Sequence, residues 1–198
     1  MVARDPDITR ARILAAAREH IGREGFRAAS IRDILVDTGV TKGALYHYFP
    51  SKTALGYAVV DEHLRGVIGE LAERFKDVDD PLTCMQDLVR EKIVGAPAER
   101  LLHGCPVVRL ADEMCVHDEG FKDRMNLLFG ELRDVLADAI REGQRTGTVR
   151  EDISPEGIAM CFASMRNGLL GMAARTQDAA MVALAAESWI QMLDGLRP

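Results

Sequence analysis

The chain has 198 residues, of which 47% are hydrophobic and only 5% aromatic, and its formal net charge is −6. Its apolar stretches are interrupted by charges such as Arg166 and Arg175, and its N-terminus is polar, so we expect neither a transmembrane helix nor a signal peptide. Helix-forming residues dominate and no alternating β-branched pattern is present, which predicts an all-α protein. We expect it to be cytoplasmic.

The negative net charge hides an uneven distribution. Residues 1–55 carry nine Lys/Arg against six Asp/Glu, whereas the remainder carries 16 against 25. A basic head on an acidic body would direct the head towards DNA. Because the positive charge of the head is modest, we expect a dimer to be needed for useful affinity.

Residues 30–49 have the pattern of a helix-turn-helix, after a first helix expected from about residue 8 to 23. Ser30 has Asp33 three residues later, the spacing of a capping box, and Gly39 is suited to end the helix that begins there. Thr41 would cap the next helix. Two helices joined by a short turn that contains glycine predict this motif.

The second of these helices would be the recognition helix. It is too short to be stable alone, so the neighbouring helices must present it. The small residues Gly43 and Ala44 would let it approach a duplex closely, and the Ala44 methyl could touch a thymine methyl. Leu45 and Phe49, four residues apart, are expected in the core. The candidate DNA contacts are Ser30, Arg32, Thr41, Lys42, Gly43, Ala44, Tyr46, His47, Tyr48 and Lys52.

A longer segment resembles a known family. Residues 39–55, GVTKGALYHYFPSKTAL, are similar to the DNA-binding signature of the TetR/AcrR family of bacterial transcriptional regulators, and the similarity covers roughly the first 55 residues. The resemblance implies an all-helical homodimer with a three-helix DNA-binding head and a larger C-terminal part that binds an inducer and dimerises. We therefore expect about nine helices, a DNA-binding domain at 1–52 and a ligand-binding and dimerisation domain at 53–198.

The remaining helices would form the body. A fourth helix, from Ser51 to about Lys76, would link the head to the body, so that any shift of this helix would move the head. Further helices are expected at about 81–94, from Pro106 onwards, and at about 118–145, 154–174 and 178–193. The last two contain more apolar surface than one core can cover. We assign them to a two-fold dimer interface that includes Ile158, Leu169, Met172, Met181, Leu184 and Trp189.

The rest of the body would enclose a small-molecule pocket between helices. Its candidate lining residues are Met85, Cys105, Arg109, Phe121, Met125, Phe162 and Met165, and for each of them ordinary core packing is the alternative. No cofactor and no metal are expected. The four cysteines have no C-x-x-C pairing and no histidine at metal-binding spacing.

The resemblance therefore implies a repressor, and not an enzyme, that an effector releases from a near-palindromic operator. Cys105 precedes Pro106 at a predicted helix start, where the helix dipole favours a thiolate. Residues 104–115 also resemble the corresponding segment in electrophile- and oxidant-responsive members of the TetR/AcrR family. A thiol-based sensor that acts through Cys105, with Cys115 as a candidate resolving thiol, is an alternative. Two others are a thiol-dependent redox enzyme and a helical interaction module that binds neither DNA nor ligand.

Overall fold

The computed structural model describes residues 6–198, with side chains from Asp7 onwards, and every element within that range is helical. The all-α prediction is confirmed. We number the α-helices in chain order as α1 (Pro6–Glu24), α2 (Ile31–Thr38), α3 (Lys42–Tyr48), α4 (Lys52–Arg74), α5 (Pro81–Val89), α6 (Ala98–His103), α7 (Pro106–Met114), α8 (Glu119–Thr146), α9 (Pro155–Thr176) and α10 (Ala179–Asp194).

Except for α5, the predicted helices agree with the observed ones to within about two residues at each end, the usual uncertainty of helix boundaries. The helix predicted at about 81–94 is α-helical only as far as Val89. Two features were not predicted. α5 continues as a π-helical turn over Arg90–Val94, and the six-residue α6 follows Pro97. None of the helices in the described part combines the length and the apolar character that a membrane crossing requires.

The described chain divides into two compact units. The first contains the chain up to Leu64 together with Cys105–Met125, and the second contains Arg65–Gly104 and Asn126–Pro198. α4 and α8 contribute residues to both units. The predicted division at residue 52 concerns function and stays a prediction.

The caps that the sequence predicts for α2 and α3 are present. The Ser30 hydroxyl accepts a hydrogen bond from the Arg32 N–H at 3.1 Å. Gly39 ends α2 in the left-handed conformation, with φ +61°. The Thr41 hydroxyl then accepts a hydrogen bond from the Ala44 N–H at 3.2 Å. These bonds satisfy backbone groups that a helix leaves unpaired at its ends, and they fix where the turn begins and stops.

Phe121, at the start of α8, belongs to the core of the first unit. Its side chain is 0% exposed, and its ring makes edge contacts with Phe26 at 5.4 Å and with Tyr57 at 4.6 Å between centroids. Gly56 makes room for this cluster, because a Cβ there would lie 2.6 Å from the Phe26 ring. The Tyr57 hydroxyl donates to Asp118 at 2.6 Å. The beginning of α8 is thereby joined to α4 and to the segment after α1.

α7 holds the C-terminal end of α1 through an Arg–Glu pair one turn apart. The Arg109 guanidinium donates hydrogen bonds to the backbone carbonyls of Gly22 and Arg23, both at 3.0 Å. Glu113 accepts hydrogen bonds from the backbone N–H groups of Phe26 and Arg27 at 3.1 and 2.9 Å. The carboxylate comes so close to Gly25, whose φ is +90°, that a Cβ there would lie 2.1 Å from its oxygen. Charge-assisted bonds of this kind are stronger than neutral ones, so Arg109 and Glu113 fasten α7 to the end of α1 and to the turn after it.

The second unit is built around α10. Trp189 is 2% exposed and packs against Phe162 of α9 with ring centroids 4.7 Å apart. The buried amide of Gln86 in α5 donates to the Ile190 carbonyl at 3.1 Å and to the Asp194 carboxylate at 2.8 Å. Because a buried amide is costly without partners, these bonds fix the position of α5 along α10.

Candidate nucleic-acid interface

α3 is a seven-residue helix that buries one side and exposes the other. Leu45 is 0% exposed and Phe49, its C-cap residue, is 3% exposed, so these two side chains fasten the helix to the core. Gly43 lies on the exposed side, and a Cβ built there has no heavy atom within 4 Å. Packing inside the protein therefore gives no reason for a glycine at this position. The missing side chain leaves room for an external partner.

The predicted DNA contacts surround this exposed side. Tyr46 is 39% exposed, and the Lys42 amine lies 6.0 Å from the centre of its ring, as expected for side chains four residues apart on a helix. The His47 ring meets the Tyr48 ring edge to face at 5.4 Å. The exposed members of the set are Arg32, Thr41, Lys42, Gly43, Tyr46 and His47, and the half-buried ones are Ser30, Ala44, Tyr48 and Lys52.

Lys52 has a different environment from the other basic residues of the set. Its amine donates to the Arg27 carbonyl at 3.0 Å and lies 5.1 Å from the centre of the Phe26 ring. Burial lowers the pKa of Lys52, and the charge of Glu113 acts in the opposite direction. These contacts give Lys52 a role in bracing the segment between α1 and α2, and a phosphate contact by Lys52 stays a prediction.

His20 links α1 to α2 inside the first unit. The residue is 4% exposed, and its Nε2 and Nδ1 atoms lie 2.7 Å from Asp37 and 3.2 Å from Glu24. The Arg23 guanidinium is also close, at 3.3 Å from Nδ1. Burial acts to lower the pKa of His20, but hydrogen bonds to the two carboxylates and their charges outweigh it and raise the pKa above its usual 6.5. An imidazolium here can donate to a carboxylate on each side.

We expect His20 to stabilise the fold most at mildly acidic pH. Because its pKa is raised in the folded state, its stabilisation is complete below the unfolded pKa of 6.5 and is lost as pH rises through the folded pKa. The difference in unfolding free energy between the wild type and His20→Gln should therefore be largest below pH 6.5 and shrink as the pH rises above it. Urea unfolding over a series of pH values measures it. The exposed His117, replaced in the same way, is the control, and an equally pH-dependent difference for His117→Gln would contradict the assignment.

The structure distributes the predicted effector-pocket residues between the two units. Met85, Phe162 and Met165 lie in the second unit, and the other four residues lie in the first. Two of the four residues in the first unit have defined partners: Arg109 is paired with Glu113, and Phe121 lies in its aromatic cluster. These two side chains hold the first unit together, a role the sequence did not reveal. Their partners are distant in the chain, and Gly25 was the only local signal of a special backbone turn.

The two cysteines considered for a sensor both belong to the first unit and are half-buried. Cys105 is the N-cap residue of α7, as predicted, and no N-capping hydrogen bond comes from its side chain. Burial raises the pKa of the Cys115 thiol, and the charges of Asp112 and Asp118 act in the same direction. A resolving thiolate at Cys115 is therefore disfavoured. No observation favours the thiol-based alternatives.

The predicted dimer residues separate into an outer and an inner group. Leu184 and Met172 are 72% and 43% exposed, whereas Ile158 and Met181 are half-buried. Leu169 and Trp189 are buried within the single chain, at 8% and 2%. The placement of these six residues at a dimer interface stays a prediction, and Leu184 and Met172 contribute most of its exposed apolar surface.

A short exposed helix, presented by α1 and α2 and carrying basic and aromatic side chains, defines a helix-turn-helix DNA-binding protein. Two family models match this chain: "Bacterial regulatory proteins, tetR family" over residues 13–59, and "Tetracyclin repressor-like, C-terminal domain" over residues 82–189. The chain belongs to the TetR family. Members of this family are transcriptional regulators and not enzymes, and this chain is a DNA-binding transcriptional regulator.

Individual proteins agree with this assignment. The HTH-type transcriptional repressor KstR2 of Mycobacterium tuberculosis is 30% identical over 159 residues, 77% of this chain and 74% of the relative. The HTH-type transcriptional regulator TtgR of Pseudomonas putida is 28% identical over 200 residues, 96% of this chain and 91% of the relative. The crystal structure of a TetR-family regulator from Agrobacterium tumefaciens shares the fold, with a TM-score of 0.82 and 24% identity over 95% of this chain and 98% of that one.

Proposed function

We propose that the protein is a repressor that binds a near-palindromic operator as a homodimer and leaves it when a small-molecule effector binds the C-terminal part. The observation that carries this proposal is the exposed side of α3, where Gly43 stands in open space beside Lys42 and Tyr46. The name of the relative KstR2, a transcriptional repressor, supports repression as the sign of the regulation. Since a bacterial operator lies in the cytoplasm, we place the protein there.

Two copies of α3 would read the operator. In helix-turn-helix dimers the recognition helices enter successive major grooves about 34–36 Å apart, on one face of the duplex. The two half-sites of the operator should accordingly lie about one helical turn, or a multiple of it, apart. Phosphate contacts from Arg32 and Lys42 would position the protein, and Tyr46 would reach the base edges.

The dimer would form through α9 and α10. These helices expose large apolar side chains that the chain itself does not cover: Met160 at 37%, Met172 at 43%, Leu184 at 72% and Met192 at 62%. Scattered single apolar residues are normal on a surface, but a group on two consecutive helices is typical of an interaction site. A second copy of the same two helices is the partner proposed for it, because homodimers with two-fold symmetry are the commonest assemblies.

Leu184→Glu should weaken this dimer strongly. Each dimer would receive two carboxylates in an apolar contact, which we expect to raise the dissociation constant at least about 100-fold. Sedimentation equilibrium at micromolar protomer concentration gives the mass. Leu127, on α8, is also an exposed leucine, at 52%. Leu127→Glu is therefore the matched control and should leave the dimer intact. A Leu184→Glu protein with the wild-type mass would exclude this interface.

The effector site is proposed within the C-terminal part, where the second family model matches. Met85, Phe162 and Met165 remain its candidate lining residues. An effector can release the operator only if it binds more tightly to the conformation that does not hold DNA. Its chemical identity would follow from the genes that the operator controls.

Selection of bound fragments from the source genome tests the proposal. The wild-type protein should enrich a small set of near-palindromic sequences next to genes, and Gly43→Glu, with its carboxylate on the exposed side of α3, should enrich none. A wild-type protein that enriches no sequence, or a variant that enriches the same sequences, would overturn it. Effector candidates suggested by the neighbouring genes should then dissociate the wild-type complex.

A further inference from the structure

Residues of α2 and α3 line an open groove of about 510 Å³ on the surface of the first unit. Four of its six lining side chains are apolar or aromatic, and none of the six is acidic. Its lining residues are Ile31, Arg32, Leu35, Val36, Lys42 and Tyr46.

The α2 side of the groove contains an apolar residue with no packing role. Val36 is 72% exposed, while Ile31 and Leu35 beside it are half-buried. Arg32 lies one turn before Val36, on the same face of α2. The α3 side repeats this arrangement with Lys42 one turn before Tyr46. Each side therefore carries one cation and, one turn later, one exposed apolar or aromatic side chain.

The groove is continuous with the proposed DNA-binding surface. Lys42 and Tyr46 line the groove and also belong to the exposed side of α3. A duplex held by that side of α3 would therefore cover the groove as well. The cations Arg32 and Lys42 are complementary to phosphates. The apolar floor needs an apolar group, and on base edges in the major groove that group is the C5-methyl of thymine.

We infer that this groove receives the methyl group of an operator thymine, with Arg32 and Lys42 on the adjacent phosphates, and that Val36 determines specificity for that thymine. The inference rests on the proposed function, since it requires duplex DNA against α3. It assigns a part of the sequence readout to α2, outside the recognition helix. Contact between the methyl group and the groove removes two apolar surfaces from water at once, which favours binding in each half-site.

Deoxyuridine tests this inference because it differs from thymidine only by the missing methyl group. Each thymine of the genome-selected operator is replaced in turn, and the affinity of the wild type is measured by fluorescence anisotropy at fixed salt. We expect one position in each half-site where the replacement weakens binding about fourfold, and about 15-fold when both half-sites are changed. Val36→Ala changes both protomers, so it should bind the thymine operator about 15-fold more weakly. It should also be insensitive to deoxyuridine at that position.

Val116→Ala is the matched control, because Val116 is 77% exposed and lies outside the groove. It should keep the full deoxyuridine effect. A wild type that binds the operator but is insensitive at every thymine overturns the inference alone, and so does a sensitive thymine whose effect persists in Val36→Ala. If neither deoxyuridine nor Val36→Ala changes the operator affinity, the inference is overturned too, and the groove is left for a protein partner. A wild type that binds no duplex overturns the proposed function as well.

Discussion

Phe121→Ala is expected to lower the free energy of unfolding by about 3–5 kcal/mol, the usual cost of deleting a fully buried phenyl ring. The ring is 0% exposed and fills the space between Phe26 and Tyr57. Alanine would leave a cavity in the core of the first unit and remove two edge-to-face contacts. The cavity cannot close easily, because the Tyr57 hydroxyl is tied to Asp118 at 2.6 Å. The effect should appear in urea unfolding at a fixed protomer concentration, since a dimer's stability depends on concentration.

Phe129→Ala is the matched control for this experiment. Phe129 belongs to the same helix and is only half-buried, so the same truncation should cost clearly less. The comparison also tests the sequence-based assignment of Phe121 to an effector pocket. If Phe121 lined an open pocket, its truncation would cost the protein little stability and would change the effector response instead. Equal losses for the two variants would contradict the structural role that we assign to Phe121.

Local signals in the sequence were enough to predict the helix-turn-helix. Ser30, Gly39 and Thr41 act on backbone groups within a few residues of themselves, and each takes the predicted role. Leu45 and Phe49 are buried as their spacing indicates. Capping and helical periodicity depend on near neighbours in the chain, so a single sequence contains all of the information that they need.

Contacts between distant parts of the chain could not be predicted in this way. Glu113 binds backbone groups 86 and 87 residues earlier in the chain, and no pattern around Glu113 indicates these partners. The contact between the Lys52 amine and the Phe26 ring also joins distant parts of the chain, and no local pattern indicates it. Periodicity marked Trp189 as apolar but could not decide whether its own chain or a second copy covers it. Each of these outcomes depends on how helices pack, which propensity and spacing do not determine.

The groove beside Val36 shows a further limit of sequence reading. An exposed valine on α2 has no unusual spacing, and its significance comes from lying beside Lys42 and Tyr46 of the next helix. The predicted DNA contacts are charged, hydrogen-bonding or small residues. Val36 is none of these, and only the surface formed by two helices places it beside the predicted contacts.

Gly43→Glu is expected to abolish operator binding without destabilising the protein. A Cβ at Gly43 meets no heavy atom within 4 Å, so the new side chain needs no rearrangement. Glycine costs about 1 kcal/mol in a helix relative to alanine, and a carboxylate in the first turn of a helix is favourable by about 0.3–1 kcal/mol. Thermal unfolding should therefore occur at the same temperature or slightly higher.

Operator binding by Gly43→Glu should be lost, although the stability of the protein is kept. In the proposed complex the carboxylate would enter the major groove, with phosphates on both sides, and each dimer would carry two of them. The juxtaposition of these carboxylates with DNA phosphates, which carry the same charge, costs several kcal/mol. We therefore expect at least about a 100-fold loss of operator affinity. Fluorescence anisotropy with the selected operator measures this loss.

Two further variants separate the causes of that loss. Gly66→Glu makes the same change at an exposed position of α4 where a Cβ also meets nothing within 4 Å. It controls for the added charge and should keep nearly wild-type affinity. Gly43→Ala adds bulk without charge and should fall between the wild type and Gly43→Glu. If Gly43→Glu and Gly66→Glu weaken binding equally, the effect is one of net charge, and the exposed side of α3 is not the surface that meets DNA.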